Sequence, residues 1–315
     1  MVSGRRLAAG LLLLYLGVHG SVSAEGQVRG LSGPGLGAAE DAQTSGGAPY
    51  QLYQNVRYAG TDGPQRMDVY CPSNSTTSRP GVLIIHGGGW AIGDKADPRE
   101  RQFAELMVDE GYVAVSINYT MTTYEGKVWA SPRIKGSWPQ NIYDCKSALR
   151  WMKKNARRLN LDPDRIAVMG GSAGGHLALL TGLSAGDAQL NAGGEYTDQD
   201  NTVRCIVDFY GIPDVRRWGG SAFIDVSEKE HPEVWALASP VTHLSEATPP
   251  ILIVHGTKDS TVKIGLSEEF VEILKGRKLV YQYVPIEGAG HSFTLTSTSV
   301  DLRPVVRAFL KKYLR

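Results

Sequence analysis

Apolar residues in this chain alternate between short unbroken runs and longer stretches in which they recur every third or fourth position. The runs are Val82-Leu-Ile-Ile85, Val113 to Ile117, Ile166 to Met169, Val203 to Tyr210, Ile251 to Val254 and Leu279 to Val284. Such runs are what strands buried on both faces of a parallel sheet look like. Between them, Asp97-Pro98 with Glu100 marks a helix start, Phe103, Leu106 and Met107 its buried face, and Gly111 its end. From Asn141 to Arg158 the positions Ile142, Cys145, Ala148, Leu149, Met152 and Ala156 keep helical spacing, with Lys153, Lys154, Arg157 and Arg158 complementing the negative carboxyl end. Ala173, Leu177 and Leu180 predict a third helix, and Gln51 to Tyr58 and Arg66 to Tyr70 two edge strands joined at Gly60-Thr-Asp-Gly63-Pro64. Strands alternating with helices predict one α/β domain over 50–315, a doubly wound, mostly parallel sheet with helices on both faces. Two stretches break the alternation: Tyr119 to Trp138, and Gly211 to Thr248 with Trp218, Phe223 and Trp235. Long irregular stretches of this kind are commonly functional, and these two are expected to form lid insertions over a site.

The first 24 residues follow another logic. Arg5 and Arg6 precede an apolar stretch from Leu7 to Val18, and Val22-Ser-Ala24 ends in small residues suited to cleavage before Glu25. This predicts a signal peptide over 1–24 and a secreted or periplasmic protein. The apolar stretch is too short for a membrane span, which needs about 20 residues. Residues 25–49, rich in Gly, Ala and Ser without periodicity, are expected to be a flexible tether.

Composition adds mostly exclusions. With 42% hydrophobic and 21% charged residues the chain is ordinary globular material. Loss of two arginines with the leader would take the formal charge from +1 to −1, which argues against nucleic acid or anionic lipid as a partner. Cys71, Cys145 and Cys205 allow at most one intramolecular disulfide, and which pair is open. No cysteine or histidine stands in a metal-ligand spacing, so neither a metal nor another cofactor is expected. Asn74-Ser-Thr76 and Asn118-Tyr-Thr120 fit the glycosylation acceptor pattern, relevant only in a eukaryotic host.

Chemistry concentrates at the carboxyl ends of the predicted strands, where open α/β sheets place their sites. Gly170-Gly-Ser172-Ala-Gly174 joins a strand to a helix in the pattern G-x-S-x-G, where small residues allow close approach and the serine occupies an exposed turn. Taken alone, a glycine-rich turn whose serine caps a helix would explain it as well. Acyl transfer by serine also needs a base, a group that orients the base, and donors for the tetrahedral oxygen. His291, in Gly288-Ala-Gly-His291, follows the last strand; Asp259, in His255-Gly-Thr-Lys-Asp259, follows the one before. Ser172 is therefore expected as nucleophile, His291 as general base then acid, and Asp259 as the orienting carboxylate. Asp208, near an adjacent strand end, is the reserve acid. Oxyanion donors are expected from Gly88, Gly89 and Ala173: three successive glycines leave backbone N–H groups uncovered, and Ala173 opens a helix. Trp90 and Trp138 are candidate substrate-binding residues. His86, His176 and Asp144 are expected to serve structure.

As a set, His86-Gly-Gly-Gly-Trp90, Gly170-Gly-Ser-Ala-Gly-Gly175, Asp162-Pro-Asp-Arg-Ile166, Pro249-Pro-Ile-Leu-Ile253 with His255-Gly256, and Gly288-Ala-Gly-His291 resemble the α/β-hydrolase esterases of the hormone-sensitive-lipase-like kind. Val207-Asp-Phe-Tyr-Gly211 and Ala238-Ser-Pro-Val241 bring the chain closer to the bacterial feruloyl and acetyl xylan esterases (BD-FAE-like). The resemblance runs from about Arg66 to the carboxyl end. It departs at Thr257-Lys258, where an acidic or small residue is more usual before the aspartate. It implies an α/β-hydrolase fold and metal-independent hydrolysis of carboxylic esters, with acetyl or feruloyl groups on plant polysaccharide as substrates. An aryl formamidase or peptidase on the same scaffold is the alternative enzyme, since fold does not fix substrate. A noncatalytic binding module of this fold would be expected to lack a triad member, and this chain lacks none.

Overall fold

The computed structural model describes residues 50–73, 78–125, 133–219 and 223–315. The expected leader, the tether and Asn74 lie outside the described residues. Ten strands, nine α-helices and one 3-10 turn (Pro240–His243) are seen among the described residues. The strands are β1 (Tyr50–Arg57), β2 (Arg66–Pro72), β3 (Arg79–Ile85), β4 (Val113–Ile117), β5 (Thr123–Glu125), β6 (Arg133–Lys135), β7 (Leu161–Gly171), β8 (Cys205–Phe209), β9 (Ile251–Gly256) and β10 (Tyr281–Ile286). The longer helices are α1 (Pro98–Asp109), α2 (Gln140–Lys154), α4 (Ala173–Leu183), α8 (Gly265–Gly276) and α9 (Arg303–Tyr313). Short ones are α3 (Ala156–Leu159), α5 (Ala188–Asn191), α6 (Val215–Trp218) and α7 (Pro232–Leu237).

Eight strands form one sheet in the order β1-β2-β4-β3-β7-β8-β9-β10. Pairing is antiparallel from β1 through β2 to β4 and parallel from there on. Strand periodicity sorts the apolar runs onto the two faces. In β3, Val82 and Ile84 pack with Phe103, Met107, Phe309 and Leu310 of α1 and α9. Leu83 and Ile85 pack on the opposite face with Ile142, Leu149, Leu177 and Leu180 of α2 and α4. Because helices cover both faces, the central strands are apolar throughout, which is why they read as continuous runs. Among the described residues no helix is long and apolar enough to cross a membrane.

Several elements differ from their sequence-based expectation. β7 begins at Leu161 rather than Ile166, because Leu161 pairs with Arg79 and Arg165 ties the crossing down through Asp162 and the Ser78 carbonyl. The long helix expected to Arg158 breaks at Asn155, whose side-chain amide donates to the Trp151 carbonyl. The last strand starts two residues late, since the Leu279 N–H still caps α8 at the Leu274 carbonyl. In the first insertion, β5 and β6 form a separate two-stranded ribbon. Cys71, Cys145 and Cys205 are all free thiols, the last two buried on opposite faces of the sheet. The amide of Asn118 donates to Asp94 while its carbonyl oxygen accepts from the Lys95 N–H, so this acceptor sequence serves the loop after β3.

Candidate active site

The turn between β7 and α4 is built by exclusion. A Cβ on Gly170 would lie 2.3 Å from the Gly174 carbonyl oxygen, and one on Gly174 would lie 2.1 Å from that of Ile85. Only glycine allows β3, β7 and α4 to close this tightly. Ser172 is left at φ 60° and ψ −125°, a strained conformation for a residue with a side chain. Its N–H is held by the Phe209 carbonyl of β8. The strain turns the hydroxyl out of the sheet toward the loops after β9 and β10.

There the structure brings three separate segments together. His291 Nε2 lies 2.9 Å from Ser172 Oγ, and His291 Nδ1 lies 2.6 Å from Asp259 Oδ2. Asp259 is fixed from its own loop, with Oδ1 accepting the Thr261 and Val262 N–H groups. Burial pushes the Asp259 carboxyl up, but the hydrogen bonds from His255 and His291 outweigh it and hold the group well below the usual carboxylate range. A carboxylate that stays ionised fixes the tautomer of His291: Nδ1 carries the proton and Nε2 is free to accept from the serine.

The glycine loop after β3 abuts this turn at Gly87, where a Cβ would lie 3.3 Å from Ser172 Cβ. Gly88 and Gly89 follow at φ 103° and 60°, and nothing stands within 4 Å of a Cβ placed on Gly89. Ala173, the first residue of α4, has no intrahelical acceptor for its N–H. Ala173 adjoins the serine in sequence, and Gly88 and Gly89 follow Gly87 in the loop that abuts it.

The two tryptophans are placed differently. Trp90 is 1% exposed, its indole N–H donates to His176 Nδ1, and its ring packs on Trp218 and Phe223. That is a support beneath the glycine loop, and the substrate-binding assignment is corrected accordingly: a ring with no free surface cannot meet a ligand. Trp138 is half-buried, and its backbone N–H donates to the Phe223 carbonyl, joining the two insertions. Asp208 does not reach His291. Its Oδ1 accepts the Gly211 N–H, its Oδ2 has no partner, and burial pushes the carboxyl up to about 7. His86 stacks on Tyr119, and Asp144 accepts from Gln65, Gln140 and the Thr120 N–H. Burial holds His86 and His176 down at about 4, so both are neutral scaffolding.

Two neighbours of the base escaped the sequence reading. Tyr210, just after β8, lays its ring against His291 at 4.9 Å between centroids. Its hydroxyl donates to the Phe293 carbonyl and accepts from Arg99 Nη1. His255, completely buried, places Nε2 3.3 Å from Asp259 Oδ2. A histidine four residues before the acid was the visible signal for the second; the first stood in the family-like run Val207 to Gly211 without a sign of its contact with the base.

Comparison with known proteins bears on the family and the fold. A family model described as BD-FAE matches residues 67–274. Esterase LipC of Mycobacterium tuberculosis is 32% identical over 253 residues, which is 75% of this chain and 59% of LipC. The chain spans only 51% to 59% of the length of the mycobacterial esterase relatives LipC, LipQ and LipM. Among solved structures, a truncated carbohydrate esterase from gut microbiota superposes with a TM-score of 0.72 at 23% identity, covering 84% of this chain and 97% of that one. Thermogutta terrifontis esterase 2 phosphorylated by paraoxon superposes with a TM-score of 0.66 at 24% identity, covering 84% and 94%. These likenesses establish the fold as that of an α/β-hydrolase, and the extent of the family match is decisive: the chain belongs to the BD-FAE family of α/β-hydrolase esterases.

Proposed function

We propose that this protein is an exported serine carboxylesterase acting through a covalent acyl-enzyme. The observation that carries the reading is the unbroken hydrogen-bonded series Ser172–His291–Asp259. As His291 Nε2 takes the hydroxyl proton, Ser172 Oγ attacks the ester carbonyl. The resulting oxyanion is held by backbone N–H groups of Gly88, Gly89 and Ala173. The imidazolium then protonates the departing alcohol, leaving acyl-Ser172. Water, deprotonated by His291, attacks the acyl carbon and releases the acid. Asp259 stays ionised throughout and stabilises the imidazolium.

The substrates proposed are short-acyl or hydroxycinnamoyl esters, with acetyl or feruloyl groups on plant polysaccharide as the natural form. The family match and a structural neighbour described as a carbohydrate esterase support this choice, and the sequence of residues 1–24 supports export. Initial rates of the protein on p-nitrophenyl acetate, butyrate and octanoate, methyl ferulate and acetylated xylan test it. Turnover of methyl ferulate or acetylated xylan well above the simple esters is expected. Preference for p-nitrophenyl esters alone would leave a general carboxylesterase. No turnover of any ester would overturn the reading in favour of amide hydrolysis or a noncatalytic role. Paraoxon, which phosphorylates the Thermogutta enzyme, is expected to label Ser172 stoichiometrically.

A further inference from the structure

The triad carboxylate serves two histidines. His255 is the second last residue of β9, its side chain fully buried. Its Nε2 lies 2.8 Å from the Val262 carbonyl oxygen, which can only accept, so Nε2 carries a proton. The same nitrogen lies 3.3 Å from Asp259 Oδ2, the oxygen that His291 Nδ1 meets at 2.6 Å. On the other side of the ring, Nδ1 lies 2.7 Å from Ser267 Oγ of α8, and in the neutral ring it accepts that hydroxyl proton. His255 thus joins the strand, the loop carrying the acid and the following helix. Its Nε2 proton goes first to the Val262 carbonyl, and the oxygen on which the base depends is its second, longer neighbour.

We infer that His255 is a positioning residue: by sharing Oδ2 of Asp259 with His291, it sets how strongly the carboxylate holds the His291 imidazolium. A carboxylate oxygen with two N–H donors gives less of its charge to each. Removing the His255 donor therefore leaves Asp259 a stronger partner for protonated His291 and raises the pH at which His291 loses its proton. The catalytic base must be neutral to accept from Ser172, so the acid limb of kcat/KM moves to higher pH with it. Other charged and titratable groups face the pair. From β8 comes buried Asp208, and just after it Tyr210, whose ring lies 4.9 Å from that of His291 and 6.5 Å from that of His255; Tyr210 in turn contacts the Arg99–Glu100 pair of α1. Asp208 titrates near neutrality, so the comparison is repeated in an Asp208→Asn background, where its charge is absent.

The inference rests on the triad reading above, so its test includes a readout independent of turnover: the low-field proton resonance of His291 Nδ1–H in the intact chain, followed against pH. His255→Asn, which keeps a group near Nδ1 but none at Nε2, is expected to raise the midpoint of that resonance and the acid limb of kcat/KM by about half to one pH unit. His255→Gln, whose amide donates from roughly the place of Nε2, should restore the original midpoint. Ser267→Ala keeps the donor while loosening the helix contact and should leave the midpoint in place. An unshifted His255→Asn, or a Ser267→Ala shift of equal size, would overturn the inference. His255→Leu serves the same comparison where His255→Asn does not fold. In the unaltered protein, 15N spectra should show His255 protonated at Nε2 and bare at Nδ1, and the reverse tautomer would also overturn it. Absence of ester turnover with the resonance shifts intact would instead remove the esterase reading and leave the positioning role standing.

Discussion

The two halves of the catalytic machinery are held by opposite means. Around Ser172, steric exclusion does the holding: Gly170 and Gly174 have no room for a methyl group, and the serine sits at a positive φ that its surroundings enforce. Around His291 the loop's own glycines have space, although a Cβ on Gly256 of β9 would lie 2.4 Å from the Ala289 carbonyl oxygen. Gly288 and Gly290 have nothing within 4 Å of an added Cβ, and the loop is fixed by polar contacts: the Gly288 N–H on Thr257 Oγ1, the Lys258 N–H on the Ala289 carbonyl, the Tyr210 hydroxyl on the Phe293 carbonyl, and His291 on Asp259. Packing gives the nucleophile one position; a hydrogen-bond network gives the base an orientation with room to adjust between acylation and deacylation. The nucleophile half tolerates no added volume, and the base half tolerates no lost donor.

Substitutions can break this contrast, and the largest effects fall on the chemistry. Ser172→Ala should lower kcat by about 10⁴- to 10⁶-fold on any ester while leaving the unfolding midpoint nearly unchanged. Retained turnover would remove Ser172 from its role. Asp259→Asn should cost about 10³- to 10⁴-fold in kcat through loss of the correct His291 tautomer. If Asp208→Asn were the damaging change instead, the acid would be misassigned. The packing contrast is tested by urea denaturation. Gly174→Ala should destabilise the protein by about 3 kcal/mol or more through overpacking against Ile85 and His86, whereas Gly290→Ala should stay within about 1 kcal/mol.

A smaller effect is written in the pH dependence of stability. His86 and His176, both under the nucleophile half, have native values held down at about 4 by burial, against about 6.5 in the unfolded chain. Between those values the unfolded chain binds the protons and the native one does not. Stability is therefore full above about pH 6.5 and falls as the pH drops toward 4, by up to about 3 kcal/mol for each ring. Asp208, pushed up to about 7 by burial, acts with the opposite sign, since the native protein takes up its proton first as the pH falls. Asp208→Asn removes that compensation, so urea midpoints measured from pH 7 to 4.5 should fall more steeply in the variant than in the parent.

The same contrast explains what could be read from the chain beforehand. Val113–Ile117 was delimited to the residue, because a strand buried on both faces has no polar interruption. The serine turn was legible for a steric reason: close approach of three elements demands glycines at fixed spacing, and spacing is visible in a sequence. The base half was legible only as an order of residues, Asp259 before His291, since a hydrogen bond between distant loops leaves no periodicity. Arg99 and Tyr210 meet across more than a hundred residues and left no local sign. Trp90 was misjudged because a tryptophan beside a glycine loop looks the same whether it faces solvent or, as here, closes an aromatic cluster with His176, Trp218 and Phe223. The ribbon of β5 and β6 went unseen because strands of three residues are too short to establish an alternating pattern.

Tyr210 has a mechanical consequence. It follows a central strand, accepts from Arg99 on the first long helix, donates to the Phe293 carbonyl, and meets the His291 ring at 4.9 Å. The base therefore rides on a bracket anchored to α1, and a tilt of α1 becomes a tilt of the imidazole. Sequence drift along that helix, far from any substrate, is a dial by which turnover can be tuned without touching the triad.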